Sequence, residues 1–255
     1  MSQKTVLITG TTSGIGEATA HLFAENNYRI ILNGRRNDRL EKQAKELEAK
    51  YNCSTYLMHA DVRDNDAVIA FFNQLPENWQ NIDVLVNNAG LAAGLEGIED
   101  GDIDNWNRMI DTNVKGLLYV TKAMIPLLKK TKGHIVNIGS IAGKEVYPNG
   151  NVYCGTKHMV DALNKAMRRE LAEAGIKVSS VNPGAVETEF SIVRLDGDEE
   201  KAKNVYEGFE NLMAQDIADA IWYVVSRPRH VNINELIIMP TAQPAAGTVI
   251  KNKGL

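Results

Sequence analysis

Short apolar runs alternate with longer amphipathic stretches along the whole chain. Each run is five or six residues long and rich in Val, Ile and Leu. Several are apolar almost throughout, which is typical of strands covered on both faces. The runs that predict strands are TVLIT (5–9), RIILN (29–33), STYLM (54–58), DVLVN (83–87), HIVNI (134–138), KVSSVN (177–182) and ELIIM (235–239).

The stretches between these runs have the length and periodicity of helices. One is DRLEKQAKELEAKY (38–51), in which we expect Asp38 to be the N-cap. Another is NVYCGTKHMVDALNKAMRRELAEAG (151–175), in which Gly175 is expected to stop the helix. This alternation predicts the α/β class: a single Rossmann-type domain over residues 1–255, with a doubly wound parallel sheet of seven strands and helices on both faces.

One stretch departs from the alternation. Residues 184–212 contain LDGDEEKAKN and are predicted to be a mobile, solvated insertion. The functional interpretation is a lid over a binding site, and an ordinary surface excursion fits the residues equally well. No repeat, low-complexity tract or Pro/Gly linker divides the chain.

Composition and charge exclude several classes of protein. With 255 residues, 44% of them hydrophobic, the chain can bury a large core. A net charge of −4 without a basic stripe argues against a nucleic-acid partner. The start, MSQKTVLITG, lacks a signal-peptide apolar region, and no apolar run approaches the ~20 residues of a membrane span. Cys53 and Cys154 lie far apart and fit reduced thiols, so we expect a cytoplasmic protein with no membrane partner.

A glycine-rich loop, TGTTSGIG (9–16), follows the first predicted strand and precedes a helix. Gly10 permits a tight turn, Gly14 lets the backbone approach a ligand, and Gly16 lets the helix pack on the strand. The unpaired N–H groups of the helix N-terminus suit a pyrophosphate. An ordinary glycine-rich turn is the alternative, and the spacing is one residue longer than the common Rossmann fingerprint; three glycines at this junction nevertheless favour a dinucleotide. The expected coenzyme contacts here are Gly10, Thr11, Thr12, Ser13, Gly14, Ile15 and Gly16.

The end of the second predicted strand indicates which dinucleotide is bound. An NAD site has an Asp or Glu about 20 residues after the loop, where it accepts a hydrogen bond from the ribose 2′-hydroxyl. This chain instead reads ILNGRRNDRL (31–40), and Arg35 and Arg36 occupy the position of a 2′-phosphate. Guanidinium groups bind phosphate oxygens in pairs and stay charged. A solvated arginine pair is the alternative, but cations are disfavoured near a helix start, so we predict NADP rather than NAD.

Further motifs follow the glycine loop in a fixed order: DV at 61–62, NNAG at 87–90, Asn113, Ser140, YCGTK at 153–157 and PG at 183–184. YxxxK alone carries little information, but the combined set is specific and covers essentially the whole sequence. The set resembles the short-chain dehydrogenase/reductase family. Within it, the stretches WQNIDVLVNNAGLAAG (79–94), TEFS (188–191) and HVNINELIIMP (230–240) resemble a narrower group, the bacterial and yeast NADP-dependent 3-hydroxy acid dehydrogenases that oxidise serine and allo-threonine.

The chemistry of Tyr153 and Lys157 agrees with this resemblance. They are four positions apart, a spacing at which side chains meet in many helices for no catalytic reason. A phenol has an ordinary pKa of about 10, and lowering it by two units requires about 2.7 kcal/mol. An ammonium about 5 Å away, at an effective dielectric constant of about 20, supplies about 3 kcal/mol. The pair can therefore make Tyr153 a general acid/base.

The resemblance implies roles for the rest of a catalytic set, with no metal. Lys157 is expected to hold the nicotinamide ribose as well, and Asn113 to anchor a water that connects Lys157 to solvent. Ser140 and Tyr153 are the expected substrate contacts, with Ser140 donating to the substrate oxygen. Each residue has an ordinary alternative: a strand-end cap for Ser140, a buried helix residue for Asn113, and surface neighbours for the pair. Their joint presence in a dinucleotide fold favours catalysis.

The resemblance also implies coenzyme contacts at other strand ends. Asp61 is expected to hydrogen-bond the adenine and Val62 to pack against it, while Asn88, Ala89 and Gly90 line the adenosine side. Turn roles are the alternative and are compatible with ligand contact. The residues expected to border the nicotinamide, in the stretch to Ser191, are Pro183, Gly184, Val186 and Thr188.

The expected substrate is a small 3-hydroxy acid such as serine, allo-threonine or 3-hydroxypropionate. Its carboxylate needs a cationic partner, for which Lys144 and Arg194 are the candidates, although both could be solvated. Rival functions are a broad carbonyl reductase, a 3-oxoacyl reductase, and a protein that senses NADP without turnover. By analogy with the family we expect a homotetramer, to which apolar helical faces within 104–130 and 151–174 could contribute.

Overall fold

A sheet of seven parallel strands lies at the centre of the computed structural model, which describes residues 3–251. The seven predicted strands are confirmed, each with ends within one residue of the prediction. They are β1 (Thr5–Ile8), β2 (Arg29–Gly34), β3 (Thr55–His59), β4 (Val84–Asn87), β5 (His134–Ile138), β6 (Lys177–Pro183) and, after the separate pair β7 (Val186–Glu187) and β8 (Leu212–Met213), β9 (Glu235–Ile238). Their order across the sheet is β3-β2-β1-β4-β5-β6-β9.

Helices connect these strands. A π-helical segment, Asp111–Gly116, joins the fourth helix to the fifth without a break. The helices are α1 (Gly14–Glu25), α2 (Asn37–Tyr51), α3 (Asn65–Gln74), α4 (Ile103–Ile110), α5 (Leu117–Thr131), α6 (Asn151–Glu170), α7 (Phe190–Arg194), α8 (Glu199–Val205) and α9 (Ala214–Val225).

Alternate residues of each strand pack into two separate cores, one on each face of the sheet. Val6 and Ile8 of β1 belong to the core that α1, α2 and α9 cover. Leu7, between them, belongs to the core that α3, α5 and α6 cover. Successive side chains of a strand point to opposite faces, so a strand between two helical layers must be apolar throughout. The expected α/β fold with helices on both faces is confirmed.

Two predicted helix ends are wrong. Arg36 is the N-cap of α2, and Asp38 lies in the first turn, where a carboxylate stabilises the positive end of the helix. Helix α6 ends at Glu170, so Gly175, with φ of +68°, ends the turn that follows rather than the helix. Leu171 and Ile176 are both buried in the same core, which requires the chain to fold back between them.

The predicted insertion at 184–212 contains regular elements that its sequence pattern did not reveal. It holds β7, α7, α8 and β8, with β7 and β8 paired in parallel. The hydroxyl of Tyr206 donates to the carbonyl oxygen of Val186 at 2.9 Å and lies 2.6 Å from Ser191 Oγ. These contacts hold Val186 and Ser191, in the first part of the segment, to Tyr206 near its end.

The structure also bears on the expectations for membranes and cysteines. Between residues 3 and 251, no helix has both the length and the apolar character needed to cross a bilayer. Cys53 and Cys154 are both buried and neither forms a disulfide, as the sequence predicts.

A chain of buried amides joins two strands to helix α6. Asn87 Nδ2 donates to Asn137 Oδ1 at 2.9 Å, and Asn137 Nδ2 donates to Asn164 Oδ1 at 2.9 Å. All three residues are buried, Asn137 and Asn164 completely. Because buried polar groups need partners, these bonds fix the position of α6 relative to β4 and β5.

Asn137→Ala tests this link. It should lower the free energy of unfolding by about 1–3 kcal/mol, because it removes a partner of Asn87 and of Asn164 inside the core. Urea denaturation measures the loss. Asn107→Ala, on the exposed surface of α4, is the control and should stay within about 0.5 kcal/mol of the parent protein. Equal losses for the two variants would contradict the proposed role of the amide chain.

Candidate active site

A cleft of about 350 Å³ lies at the carboxyl ends of the parallel strands. Strands β2 and β3 follow β1 on one side of it, and the chain then returns to place β4 on the other side. The cleft is at this point of reversal, the usual ligand site of such sheets. Most of the residues predicted from the sequence line it: Gly10, Thr12, Ser13, Gly14, Ile15, Arg35, Arg36, Asp61, Val62, Asn88, Ala89, Gly90, Ser140, Tyr153, Lys157, Pro183, Gly184, Val186 and Thr188.

The glycine loop has the geometry of a phosphate cradle. Gly10 and Gly14 have φ of +70° and +59°, which favour glycine. A Cβ on Gly16 would lie 2.2 Å from the carbonyl oxygen of Gly10, so a side chain there would collide with the loop backbone. Ser13 is the N-cap of α1, but its side chain makes no capping bond. The first amides of α1 are therefore available to an anion in the cleft.

The two arginines after β2 differ in their surroundings. Arg35 has a side chain 61% exposed, and its nearest carboxylate oxygen, on Asp61, is 3.7 Å away. Arg36 donates through Nε and Nη2 to Thr12 Oγ1 and through Nη2 to Ser13 Oγ, so it is bound to the glycine loop. Its Nη1 donates to Glu189 Oε2 at 2.9 Å. Both arginines line the cleft beside the glycine loop.

Asp61 and Val62 follow β3 as expected for an adenine-binding turn. Burial raises the pKa of Asp61, but hydrogen bonds from Arg63 outweigh it, and the pKa lies below its usual range. The carboxylate is thus an ionised acceptor at neutral pH. Val62 is buried against Gly116, whose missing side chain leaves room for it: a Cβ there would be 2.8 Å from Val62 Cγ2.

Ser140, Tyr153 and Lys157 come together at one end of the cleft. Ser140 follows β5, and its Oγ accepts a hydrogen bond from Ala142 N at 3.1 Å, which makes it the cap that the alternative interpretation predicts as well as a cleft residue. Tyr153 and Lys157 both lie on the buried face of α6. Lys157 Nζ donates to the carbonyl oxygen of Ile138 at 2.9 Å and is 5.9 Å from the centre of the Tyr153 ring.

Burial dominates the protonation of this pair. It raises the pKa of the Tyr153 phenol, with a smaller contribution from Tyr147, while Ser140 and Arg194 act in the opposite direction. Burial also lowers the pKa of Lys157 to about 8. Desolvation disfavours phenolate and ammonium alike. Among the protein's own groups, burial therefore outweighs the lowering of the Tyr153 pKa that the charge argument predicts.

Three predicted residues lie behind the cleft rather than in its lining. Thr11 Oγ1 donates to the carbonyl oxygen of Asn33, and Gly16 lies beneath the loop. Asn113 is buried in the π-helical segment; its Nδ2 donates to Leu91 O and to Thr156 Oγ1, and its Oδ1 accepts from Leu91 N. Both amide hydrogens of Asn113 are thus engaged in holding α6 to the loop after β4. The expected water relay stays a prediction.

The two candidates for a substrate carboxylate have different partners. Lys144 Nζ donates to Asp161 Oδ1 at 2.5 Å and to Glu235 Oε2 at 2.6 Å, so its charge is already paired and it does not line the cleft. Arg194 donates to the hydroxyl of Tyr147 at 2.9 Å, and its guanidinium carbon is 5.7 Å from the centre of the Tyr153 ring. Neither side chain lines the cleft itself. Arg194 lies in a small adjoining pocket that also includes Tyr153, and no carboxylate among residues 3–251 is paired with it, so the structure favours Arg194 over Lys144.

The sequence did not reveal several residues of the lining. Arg108 and Thr112 lie one turn apart on the helix that leads to Asn113, and the buried Thr112 hydroxyl makes no hydrogen bond within the described part of the chain. Their i,i+4 spacing ahead of Asn113 could have indicated a shared face. The other unpredicted lining residues are Asn33, Gly34, Ala60, Leu91, Ile138, Gly139 and Val193, whereas Glu189 and Phe190 fall in the stretch to Ser191 that was expected to border the nicotinamide.

The sheet order, the glycine loop and the cleft at the strand reversal define a Rossmann-type dinucleotide-binding protein. A family model described as short chain dehydrogenase matches residues 4–198. The chain belongs to the short-chain dehydrogenase family, and the resemblance read from its motifs is confirmed.

Relatives and solved structures narrow the comparison. The chain is 44% identical over 244 residues to the NADP-dependent 3-hydroxy acid dehydrogenase YdfG of Salmonella typhimurium, covering 95% of this chain and 97% of the relative. It is 42% identical over 243 residues to serine 3-dehydrogenase of Agrobacterium fabrum, covering 95% and 96%. A closed form of serine dehydrogenase complexed with NADP+ is 41% identical, with a TM-score of 0.90 over 98% of this chain and all of that one.

Gly16→Ala tests the tight packing beneath the loop. A methyl group 2.2 Å from the Gly10 carbonyl oxygen must displace backbone, and the variant should lose about 1–3 kcal/mol of unfolding free energy. Gly155→Ala is the matched control. It lies inside α6 with no heavy atom within 4 Å of the new methyl, so it should gain up to about 1 kcal/mol from helix propensity. Urea denaturation of both variants measures these changes. A Gly16→Ala variant as stable as the parent would contradict the tight packing.

Proposed function

We propose that the protein is an NADP-dependent oxidoreductase that transfers a hydride between NADP and the hydroxyl or carbonyl carbon of a small 3-hydroxy acid, of the serine, allo-threonine or 3-hydroxypropionate type. The observation that carries the substrate class is the position of Arg194 beside Tyr153. The names of the relatives, 3-hydroxy acid dehydrogenase and serine 3-dehydrogenase, support the same class.

The residues around the cleft fit NADP. The glycine loop and the start of α1 would hold the pyrophosphate, and Asp61 with Val62 would hold the adenine. Arg35 and Arg36 would hold the 2′-phosphate, since guanidinium groups pair with phosphate oxygens. Of the relatives, the dehydrogenase YdfG is named as NADP-dependent, and the serine dehydrogenase structure contains NADP+, which supports this choice.

The catalytic roles follow from geometry. When bound, NADP supplies the hydride acceptor for oxidation or the hydride donor for reduction. Ser140 would hold the substrate oxygen, and Tyr153 would exchange the proton with it: the C–H electron pair leaves as hydride while the O–H proton passes to the phenolate oxygen. Lys157, protonated below its pKa of about 8, would stabilise that phenolate. In reduction the protonated phenol donates to the developing alkoxide.

The Tyr153 pKa bears on direction. Because burial raises it, Tyr153 is protonated at neutral pH, the form required of the acid in carbonyl reduction. Oxidation requires the phenolate, and a positive charge beside the ring favours that form. Among residues 3–251, Arg194 and Lys157 are the cations within 6 Å of the ring centre, at 5.7 Å and 5.9 Å.

Arg194 is suited to bind a substrate carboxylate. Its guanidinium group is held by the Tyr147 hydroxyl and, through Nε, by the carbonyl oxygen of Gly94 at 3.3 Å. Its own carbonyl oxygen accepts from Gly94 N at 3.0 Å, which anchors this end of α7. Among residues 3–251 no carboxylate is paired with Arg194. A substrate carboxylate would supply the missing counterion next to the reacting hydroxyl.

The rival functions differ in how they treat this cation. A broad carbonyl reductase or a 3-oxoacyl reductase would be indifferent to a free carboxylate next to the reacting carbon. A protein that only senses NADP would show no absorbance change at the nicotinamide with any hydroxy acid. A homotetrameric assembly and a cytoplasmic location stay predictions; the exposed Ile110 on α4 and Met159 on α6 lie in the two stretches, 104–130 and 151–174, that could contribute to assembly.

Tyr153→Phe tests the acid/base role. The variant keeps the ring and loses the proton, so turnover should fall by about 10²–10⁴-fold. NADP affinity, measured by fluorescence titration, should change by less than about threefold. Tyr223→Phe, half-exposed on α9, is the control and should keep full activity. A Tyr153→Phe enzyme that retains most of its activity would exclude Tyr153 as the proton-transfer group.

Arg194→Gln tests the carboxylate site. The specificity constant kcat/KM for serine should fall by about 10–10²-fold, since a hydrogen bond to a charged group contributes about 1.5–3 kcal/mol. Serine methyl ester should be a poor substrate of the parent and no poorer for the variant, because its carboxylate is already blocked. Arg194→Lys should recover part of the loss. The hydroxy-acid assignment fails if the parent uses the ester as well as the acid.

A further inference from the structure

The segment after β7 contacts both the glycine loop and the start of α2. Thr188 packs on Gly14: a Cβ on that glycine would be 3.2 Å from Thr188 Cγ2. The next residue, Glu189, lies between two arginines: Arg36, the N-cap of α2, and Arg39, in the first turn of that helix. Its Oε2 accepts from Arg36 Nη1 at 2.9 Å and its Oε1 from Arg39 Nη1 at 2.8 Å. We refer to Glu189, Arg36 and Arg39 as the carboxylate clasp.

We propose that Glu189 is a further determinant of coenzyme specificity, because its carboxylate competes with the 2′-phosphate for Arg36 and is released when the phosphate binds. This inference rests on the proposed NADP dependence. It gives Glu189, which the sequence placed in the stretch bordering the nicotinamide, a role at the adenosine end, 153 positions along the chain from Arg36.

Competition follows from the hydrogen bonds of Arg36. Its Nε and Nη2 are bound to Thr12 and Ser13 of the glycine loop, and Nη1 is the nitrogen bound to Glu189. A phosphate approaching the Arg35–Arg36 pair from the cleft meets the same guanidinium group that the carboxylate neutralises. Glu189 takes one N–H of Nη1, and a phosphate oxygen that accepts from the same nitrogen would lie close to the carboxylate, so repulsion between the two anions prevents both from having their best geometry.

The balance of charge favours the phosphate when it is present. A phosphate monoester carries about −1.5 to −2 charges at neutral pH against −1 for a carboxylate. Arg35, with its side chain 61% exposed and its nearest carboxylate oxygen at 3.7 Å, adds a second cation. A ribose 2′-hydroxyl, as in NAD, has no charge with which to displace Glu189. Glu189 therefore lowers the affinity for the coenzyme that carries a 2′-phosphate and leaves the affinity for NAD nearly unchanged.

The clasp connects the coenzyme to the substrate end of the cleft. Glu189 is the N-cap of α7, which carries Phe190 against Tyr153, with ring centres 5.7 Å apart, and ends at Arg194. Release of Glu189 frees the first turn of α7 while Gly94 still holds its last residue. The 2′-phosphate thus loosens the start of the helix that would bind the substrate.

An ion pair that only stabilises the fold is the alternative. The side chains of Glu189 and Arg36 are each 40% exposed and that of Arg39 is 46% exposed. Pairs as exposed as these contribute little to stability, so substitution of Glu189 should leave the protein folded. The two interpretations differ in ligand binding, which can be measured without catalysis.

The test uses fragments that lack nicotinamide. Isothermal titration of 2′,5′-ADP and of 5′-AMP with the parent protein and with Glu189→Gln compares ligands with and without the 2′-phosphate. Removing the competing charge should tighten 2′,5′-ADP by about 2–5-fold and change 5′-AMP by less than about 1.5-fold. Glu187→Gln is the matched control: this exposed carboxylate, two residues earlier, is 3.4 Å from Asn211 and contacts neither arginine. It should change neither affinity.

A second measurement keeps the parent protein intact. Hydrogen exchange of the amides in 188–194 should be faster with saturating 2′,5′-ADP than with 5′-AMP, and Glu189→Gln should show the faster exchange with either ligand. Equal 2′,5′-ADP affinities for the parent and Glu189→Gln, with exchange unchanged, would overturn the clasp and leave the coenzyme assignment standing. If 2′,5′-ADP bound no better than 5′-AMP in either protein, the NADP assignment would fall together with the clasp.

Discussion

The arrangement of the cleft depends on one buried cation. Lys157 is 7% exposed, and its ammonium group donates to the carbonyl oxygen of Ile138, the last residue of β5. An ammonium inside a protein requires such a partner, because desolvation disfavours the charged form and here lowers its pKa to about 8. The bond holds α6 against the sheet two residues before Ser140. Tyr153, one helical turn before Lys157, consequently enters the cleft beside Ser140.

The sequence predicts those features that arise from neighbours along the chain. All seven strands and the position of the glycine loop follow from apolar runs and from glycine spacing, because burial and backbone conformation act locally. Ion pairs between distant elements leave no such pattern. The partners of Lys144 are 17 and 91 positions away, at Asp161 and Glu235. Only the folded structure could therefore show that the charge of Lys144 is already paired. The cleft residue Thr112 has a weak local signal, its i,i+4 spacing from Arg108, which does not by itself show that this helical face meets the cleft.

The same limit explains why the charge argument for Tyr153 was incomplete. Spacing alone indicates that Lys157 is near, and Coulomb's law then predicts a lower phenol pKa. Spacing does not reveal that α6 buries both groups on one face, and burial acts on the phenol in the opposite direction. Because burial disfavours the charged form of each group, the neutral phenol of Tyr153 is favoured over the phenolate. Arg194, invisible to the four-residue spacing, is a second cation at similar distance from the ring.

Helix α7 joins the two ends of the cleft through its own electrostatics. Glu189 precedes it and Arg194 ends it, so the acid lies at the positive end of the helix and the base at the negative end. A helix this short has little stability of its own and depends on such terminal charges and on tertiary contacts. Glu189 is paired with Arg36 and Arg39, and Arg194 lies beside Tyr153. Under the proposed function, a ligand that competes for either charge would alter the stability of α7, whose five residues span about 7.5 Å between them.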